Sequence, residues 1–340
     1  MTFSKHLNFF YKNFDLSFLI DRFALVLNMI LMRNLLFIVA VALCLVGCKT
    51  SKNAQEIGRG SQDVWQTMLV KQLESQVDDN LIKVKYNNGS TLYFSILDNF
   101  GHIALTWDHN GRNAFDEGVS GYKGQIEIPS FVTSGDYDEF VFQVIQIDEN
   151  AFFDCDKVTG IHLPYSIGVI RRNAFKNCKE LKEIKVDENN TTYCDVDGVL
   201  YSKDFRMLIQ YPAKKAGEEY EMPTEVSLVC TEAFAGCENL TKITVSNNVT
   251  VISDYAFMNC TKLQEFRLGR SVRVIGVEAF KNCPELSFIY APGFFAPHNS
   301  PTVFDAATKE KCKVTVPRGQ KMNYMRQLEW GEFKNIQEEW

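Results

Sequence analysis

The thirteen residues 256–268, Ala-Phe-Met-Asn-Cys-Thr-Lys-Leu-Gln-Glu-Phe-Arg-Leu, decide the fold of this 340-residue chain. Their first part, Ala-Phe-x-x-Cys, occurs five times, and successive copies lie 23, 59, 23 and 23 residues apart. A fixed period in the low twenties predicts a solenoid, because each unit must stack on its neighbours to bury its apolar face. Such stacks offer long exposed surfaces, which favours binding over catalysis. The copies begin at Ala151, Ala174, Ala233, Ala256 and Ala279.

The second part of the unit, Leu-x-x-apolar-x-apolar, alternates with period two and predicts a half-buried strand. The 59-residue gap contains one such strand without its Ala-Phe-x-x-Cys, and residues 195–219 lengthen the connection there. Within them, Asp197–Pro212 predict two short strands around a polar turn, and we expect this hairpin to protrude from the solenoid. The predicted strands are 126–128, 161–163, 184–186, 220–222, 243–245, 266–268, 289–291 and 314–316.

The residue before each repeat cysteine tolerates a left-handed backbone conformation. A single helical turn that begins at Ala-Phe should therefore end at that residue. Each unit then consists of a strand, a loop and a short helical turn. The residues concerned are Asp154, Asn177, Gly236, Asn259 and Asn282.

With these residues in view, the units resemble the BspA-type leucine-rich repeats of bacterial surface proteins. Ile170-x-x-x-Ala174-Phe175-x-x-Cys178 and Leu163-Pro164-x-Ser166 are similar to the family consensus, and the resemblance covers residues 122–340. It implies a curved, right-handed leucine-rich repeat solenoid on an exported protein, usually a lipoprotein or a cell-wall protein. It also implies protein or glycan binding in adhesion. No catalytic residue or cofactor comes with the family, so we expect no enzyme activity.

The solenoid proper, residues 122–316, should be capped at both ends, because an open terminal rung exposes apolar core and an unpaired strand edge. Residues 63–121 predict an N-terminal cap, with a helix over Asp63–Asp79 and strands over 81–86, 91–97 and 102–107. Residues 317–340 predict a helical C-terminal cap. Its apolar contacts should come from Tyr324, Leu328, Trp330 and Phe333.

Residues 45–48, Leu-Val-Gly-Cys, are typical of a lipobox, in which the cysteine receives a lipid after cleavage. We therefore expect a lipoprotein signal peptide over 1–47, with Met32 as an alternative start, and a membrane anchor at Cys48 followed by a polar tether over 48–62. The apolar run 35–46 is shorter than the ~20 residues that span a bilayer. Residues 49–52 are not acidic, unlike those in many surface-exported Bacteroides lipoproteins. An outer-membrane lipoprotein could thus face the cell surface or the periplasm.

The charge balance disfavours a nucleic-acid partner. Cleavage before Cys48 would leave 32 basic and 40 acidic residues, a net charge of −8. Nucleic-acid binding calls for a basic stripe instead.

Five of the ten cysteines occupy the same point of successive units. Equivalent side chains on stacked rungs run parallel, which is contrary to disulfide geometry, so we predict a ladder of buried free thiols. Any disulfide would have to involve Cys194, Cys230 or Cys312, which lie outside the ladder.

The sequence gives little support for a metal site. Four histidines follow Cys48 and show no paired spacing, and Asp195-x-Asp197-Gly198 lacks the other ligands of a calcium loop. We interpret this segment as the turn that opens the hairpin. No nucleophile-elbow, zinc-protease or phosphate-loop motif occurs.

On each predicted strand, the residue between the two apolar positions points outward. Phe288, in the neighbouring outward position, and Tyr290 form the aromatic patch of this face, and aromatic residues are enriched in binding hot spots. Alternatively, acidic and basic side chains of this face merely pair across strands, and the loop with Phe294 and Phe295 covers Phe288. Stacking should align the outward residues Glu127, His162, Lys185, Glu221, Thr244, Arg267, Tyr290 and Thr315.

Two functions are compatible with these features. The first is a membrane-anchored adhesion or interaction module that binds a protein or glycan without catalysing a reaction. The second is a periplasmic or envelope scaffold subunit with one dedicated bacterial partner.

Overall fold

The computed structural model describes residues 72–78, 81–86, 91–98, 100–106, 122–134, 140–300 and 302–339. The predictions about the signal peptide, Cys48 and the tether lie outside these residues.

The N-terminal part is a sheet of mixed direction. Strands β1 (Gln72–Asp78), β2 (Leu81–Tyr86), β3 (Thr91–Ile96) and β4 (His102–Thr106) run antiparallel in sequence order. Strand β4 then pairs in parallel with β7 (Phe140–Ile147), which also contacts β6 (Phe131–Ser134) and β9 (Val169–Ile170). Strands β2, β3 and β4 lie where strands were predicted.

The helix predicted over Asp63–Asp79 is wrong for its second part, because Gln72–Asp78 form β1. Backbone pairing with β2, from Gln72 opposite Tyr86 to Asp78 opposite Leu81, outweighs the helical spacing of the apolar residues. Residues 63–71 lie outside the described part.

The predicted rungs form parallel strands that we call the front sheet. The sheet has two runs, one of three strands and one of six. The first run comprises β5 (Lys123–Glu127), β8 (Lys157–Leu163) and β10 (Glu183–Val186). The second comprises β14 (Glu219–Glu221), β16 (Lys242–Thr244), β18 (Glu265–Arg267), β20 (Phe288–Tyr290), β22 (Lys313–Pro317) and β23 (Asn335–Glu339).

The units that begin with β14, β16, β18 and β20 each also contribute a two-residue strand to what we call the back sheet. These strands were not predicted, because two residues are too few for a periodic signal. In order, the back sheet comprises β11 (Tyr193–Val196), β12 (Val199–Ser202), β13 (Met207–Gln210), β15 (Leu228–Val229), β17 (Val251–Ile252), β19 (Val274–Ile275) and β21 (His298–Asn299).

The insertion belongs to the core of the protein. Strands β12 and β13 pair antiparallel, which confirms the predicted hairpin, but Leu200, Tyr201 and Leu208 are buried and β13 continues in parallel into β15. The expectation that the hairpin protrudes is therefore wrong. The apolar residues of the hairpin fill the core of the rung that lacks Ala-Phe-x-x-Cys. At the same rung the front sheet is interrupted, because β10 and β14 are not paired.

The Ala-Phe-x-x-Cys segments are hydrogen-bonded turns without a regular helix. In the unit that contains Phe257, the Cys260 amide donates to the Phe257 carbonyl at 3.3 Å. The predicted left-handed residues have φ between 55° and 74°, as in Asp154 and Gly236. A second left-handed residue, one position before each alanine, was not predicted. The residues of this second set are Asn150, Asn173, Glu232, Tyr255 and Glu278.

The repeat phenylalanines stack on one another along the solenoid. The ring centroids of Phe234, Phe257, Phe280 and Phe304 are 5.0–5.1 Å apart between neighbours. Tyr211 takes the place of the missing repeat phenylalanine, because its ring stacks on Phe234 at 5.0 Å and its amide donates to the Ala233 carbonyl. This ladder holds successive units in register.

The repeat cysteines are free and buried, which confirms the predicted thiol ladder. The thiols of Cys178, Cys237, Cys260 and Cys283 reach back one unit, as Cys260 does when it donates to the Phe234 carbonyl at 3.1 Å. Burial raises the pKa of the Cys283 thiol to about 12 and so suppresses its reactivity. Cys194, Cys230 and Cys312 are free as well.

The C-terminal cap contains helices and a strand, whereas a helical cap was predicted. Helix α1 (Ala306–Lys311) precedes β22, and helix α2 (Lys321–Met325) and a 3₁₀ turn (Trp330–Glu332) precede β23. Tyr324, Trp330 and Phe333 are buried as expected, and the Trp330 indole donates to the Pro297 carbonyl at 3.1 Å. Leu328 is 61% exposed, so its predicted capping contact is wrong.

Candidate functional site

The predicted outward residues align in register on the front sheet, and we call them the front row. In the first run, Glu127 pairs with His162 and His162 with Lys185. In the second run, the pairing continues from Glu221 through Thr244 and Arg267 to Tyr290. The row is interrupted between Lys185 and Glu221, because β10 and β14 are not hydrogen-bonded neighbours.

The hairpin strands occupy the interruption and bind the edge of the first run. The Asp195 carboxylate accepts a hydrogen bond from the Val186 amide at 2.8 Å and lies 3.3 Å from the Lys185 ammonium. Lys185 therefore points to the hairpin and not to the next residue of the row.

Thr315 does not belong to the exposed surface. It pairs with Gln337 of β23, is fully buried, and its hydroxyl has no hydrogen-bond partner among the described residues. The prediction of Thr315 as an exposed outward residue is wrong, because a further strand, β23, packs beside β22 at this position.

Acidic and basic side chains pair across the front sheet, as the alternative interpretation expected. The His162 imidazole lies 2.7 Å from the Glu127 carboxylate, which raises the pKa of His162 and lowers the pKa of Glu127. In the second run, the Lys242 ammonium lies 3.0 Å from the Glu219 carboxylate. These partly exposed pairs contribute little stability, of the order of 0–1 kcal/mol each.

The C-terminal end of the front sheet has a different character. The Arg267 guanidinium pairs with Glu265 and lies 5.7 Å from the centroid of the Tyr290 ring, at the distance of a cation–π contact. Phe288 and Tyr290 are half-buried on β20. The structure thus brings an arginine and two aromatic residues together on two adjacent strands.

Phe294 and Phe295 are the more exposed aromatic residues, with 70% and 69% of their surface accessible. They follow β20 in the loop Ala291–Pro297, which the Tyr324 hydroxyl holds by donating to the carbonyls of Ala291 and Gly293. Phe288 and Tyr290 remain the predicted aromatic patch of the strand face, and this loop adds a second aromatic pair that the prediction for the face did not include. Two adjacent phenylalanines between prolines were the sequence signal.

The Asp195-x-Asp197-Gly198 segment is a turn between β11 and β12, as interpreted from the sequence. Asp195 accepts hydrogen bonds from backbone amides, and the Asp197 carboxylate lies 2.8 Å from the Lys215 ammonium. Within the described part of the chain, no three His, Cys, Asp or Glu side chains are grouped as a metal site would require.

A family model, the BspA-type leucine-rich repeat region, matches the chain in six copies over residues 125–196 and 214–300. The repeats are BspA-type leucine-rich repeats. The matched ranges flank the hairpin, which agrees with the interruption of the front row. The match indicates a non-enzymatic protein-interaction module and points to no enzyme family.

Solved leucine-rich repeat proteins of bacteria are similar to this chain at low identity. One from Eubacterium ventriosum is 27% identical over 58% of this chain and 50% of its own, with a TM-score of 0.48. One from Bacteroides ovatus is 18% identical over 73% and 75%, with a TM-score of 0.32. The pneumococcal vaccine antigen PcpA is 16% identical over 78% and 99%, with a TM-score of 0.39. The chain thus spans half the length of the first of these.

No curated protein is similar enough in sequence to match the chain. Among the described residues, no helix has the length and apolar character needed to cross a bilayer.

Proposed function

We propose that this chain is an exported, lipid-anchored leucine-rich repeat protein that binds a protein or glycan ligand at the C-terminal end of its front sheet. The observation that carries the proposal is the grouping of Arg267, Phe288 and Tyr290 on adjacent strands, beside a loop that exposes Phe294 and Phe295. Arginine and aromatic side chains are enriched in binding hot spots, because both bury large areas and aromatic side chains lose little conformational freedom.

The rest of the front row is less suited to supply affinity. His162 and Glu127 pair with each other, and Lys185 pairs with Asp195 of the hairpin. A ligand that approached these residues would have to replace existing ion pairs and would gain little, since exposed charges at an interface rim change binding weakly. We therefore assign the affinity to the aromatic end and the orientation of the ligand to the charged part.

Export and anchoring rest on the lipobox and the family resemblance. Cys48 is expected to carry the acyl chains, and several chains on one cysteine would make the anchor stable. Labelling of growing cells with radioactive palmitate tests this step. We expect label on the wild-type chain and none on Cys48→Ala, while label on both variants would place the acylation elsewhere.

Ligand binding is tested with the full chain against a panel of purified extracellular-matrix proteins and a glycan array. Any ligand that binds saturably should bind the double variant Phe288→Ala/Tyr290→Ala at least about tenfold more weakly. Tyr165→Ala, which removes an exposed tyrosine elsewhere, is the matched control and should bind as the wild type does. Unchanged circular dichroism would show that both variants remain folded. Equal binding by the double variant would contradict the proposed site.

A periplasmic or envelope scaffold with one bacterial partner is the second candidate. It is favoured by Lys49 and Lys52, which stand where surface-exported lipoproteins of the Bacteroides group often carry acidic residues. In that case none of the matrix proteins or glycans should bind, and one envelope protein should co-purify with the wild-type chain in a fixed ratio.

A further inference from the structure

The back sheet carries a continuous row of apolar side chains on its outer surface. Met207 pairs with Leu228, Leu228 with Val251, and Val251 with Val274. The next residue of each strand is buried in the core, whereas Met207 and Val274 are 38% and 40% exposed and the two between them are half-buried. We call Met207, Leu228, Val251 and Val274 the back row.

Strand propensity alone does not explain the back row. The front row faces outward in the same way, from parallel strands of the same units, and contains polar or charged residues such as Glu221, Thr244 and Arg267. If aliphatic residues were present only to favour strands, they would occupy both rows. An outward apolar residue in every back-sheet strand from β13 to β19 indicates a surface that another apolar surface covers.

Two neighbouring rows define the edges of this surface. On one side, backbone hydrogen bonds align Arg206, Ser227, Thr250 and Arg273, so that an arginine stands at each end. On the other side lie Ile209, Cys230, Ser253 and Gly276. These three rows, all within the described part of the chain, contain no aspartate or glutamate. Arg206 has Asp204 at 3.8 Å, while Arg273 forms no ion pair with any described residue.

We propose that the back row is the docking site for an amphipathic α-helix of a partner protein, with acidic residues near the ends of its apolar stripe. Successive rungs are about 4.8 Å apart, so the four side chains span roughly 14 Å. The apolar stripe of a helix repeats every ~5.4 Å and falls out of step by only about 2 Å over that distance. An extended strand repeats every ~6.7 Å on one face and falls out of step by about 6 Å. The spacing therefore favours a helix over a single extended strand.

The charges select against a second copy of this chain. If two back rows packed antiparallel, Arg206 of one copy would face Arg273 of the other, and like charges repel. If they packed in parallel, the arginines would face the row of Ile209 and Gly276, which holds no carboxylate. Acidic side chains on a different partner satisfy both arginines. This surface is separate from the front sheet, so either assignment can fail without the other.

The probe is a synthetic peptide with leucines at i, i+4, i+7 and i+11, alanine and glutamine between them, and glutamates at both ends. Two further peptides serve as controls, one with the leucines scrambled off a common face and one with lysines in place of the glutamates. Methyl NMR of the full chain locates the contact. We expect shifts of the Leu228, Val251 and Val274 methyl groups with the first peptide only.

The double variant Leu228→Thr/Val251→Thr removes the apolar contact and keeps side chains that strands accept. It should weaken binding of the glutamate peptide about tenfold. Val141→Thr, the same kind of change at an exposed valine of the N-terminal sheet, is the matched control and should leave binding unaltered. Thermal unfolding should be alike for both variants, and if the double variant is unfolded, the wild-type methyl shifts alone decide.

Three results would overturn the proposal. The first is the absence of back-row shifts at peptide concentrations up to about 1 mM, which corresponds to a binding free energy of about 4 kcal/mol or weaker. The second is equal binding of the scrambled peptide. The third is a set of shifts confined to other surfaces. Binding of the full chain to phosphatidylglycerol vesicles that is lost in the double variant would assign the row to a membrane. Self-association in sedimentation that is lost in the double variant would assign it to a second copy.

Discussion

Replacing Phe257 with alanine removes the central ring of the aromatic ladder. Phe257 is fully buried and contacts the rings of Phe234, Phe280 and Phe266, with centroids 5.0, 5.1 and 4.8 Å away. A buried Phe→Ala change costs about 3–5 kcal/mol, and three aromatic contacts place this one in the upper part of that range, at about 4–5 kcal/mol. For a chain of this size the melting temperature should fall by roughly 6–10 °C.

Phe294→Ala is the matched control, because it makes the same chemical change at a ring that is 70% exposed. It should alter the free energy of unfolding by less than about 0.5 kcal/mol. Denaturant titrations followed by circular dichroism and by the fluorescence of the buried Trp330 measure both variants. A loss below about 2 kcal/mol for Phe257→Ala, or an equal loss for the control, would refute the ladder as the main source of cohesion between units.

Three further predictions follow from the described contacts. Glu127→Gln should lower the pKa of His162 toward 6.5, which an NMR titration measures. The pair stabilises the fold by less than about 1 kcal/mol, and this contribution is complete between pH 4.5 and pH 6.5. It is lost as pH rises through the raised pKa of His162 and as pH falls through the lowered pKa of Glu127. An unchanged titration curve would disprove the coupling. Gly198→Ala should lower the free energy of unfolding by more than about 1 kcal/mol, as measured by thermal melting. The reason is that φ of Gly198 is 78° and the added carbon would lie 2.9 Å from the Glu183 side chain. In the control Gly217→Ala, the added carbon meets open space, so that variant carries only backbone strain. Equal losses would show that the hairpin is not packed on β10. Finally, a thiol reagent should react with all eight cysteines of the described part once the protein is denatured, with no reductant added, and incompletely before denaturation. A smaller count after denaturation would reveal a disulfide.

The repeat architecture could be predicted because it depends on local pattern. Alternation marks strands such as β16 and β18, and the residue before each repeat cysteine marks a left-handed position, as at Asn259. The strands β15, β17 and β19 escaped prediction because two residues carry no periodicity. The apolar residues around Leu73 have helical spacing, and the helix predicted from it is wrong for Gln72–Asp78, because pairing with β2 decides the conformation of these residues.

For the candidate site, the sequence predicts which residues align on neighbouring strands but not which of them are exposed. Stacking correctly aligned Thr244, Arg267 and Tyr290, but the exposure of a position depends on what packs beside it. Thr315 is buried where β23 pairs with β22, and the row is interrupted at Lys185, where the hairpin binds the edge of β10. In the sequence, the back row corresponds to an apolar residue directly before each core residue of β15, β17 and β19. This pattern can be recognised as a row only once the strand pairing is known.

We expect these repeats to form a binding surface outside the cytoplasm. Proteolysis of intact cells, followed by detection of the solenoid with an antibody, tests it most directly. We predict that protease added without lysis digests the solenoid. Digestion only after the outer membrane is opened would favour the periplasmic scaffold. Protection even with the outer membrane open would contradict export of the repeats.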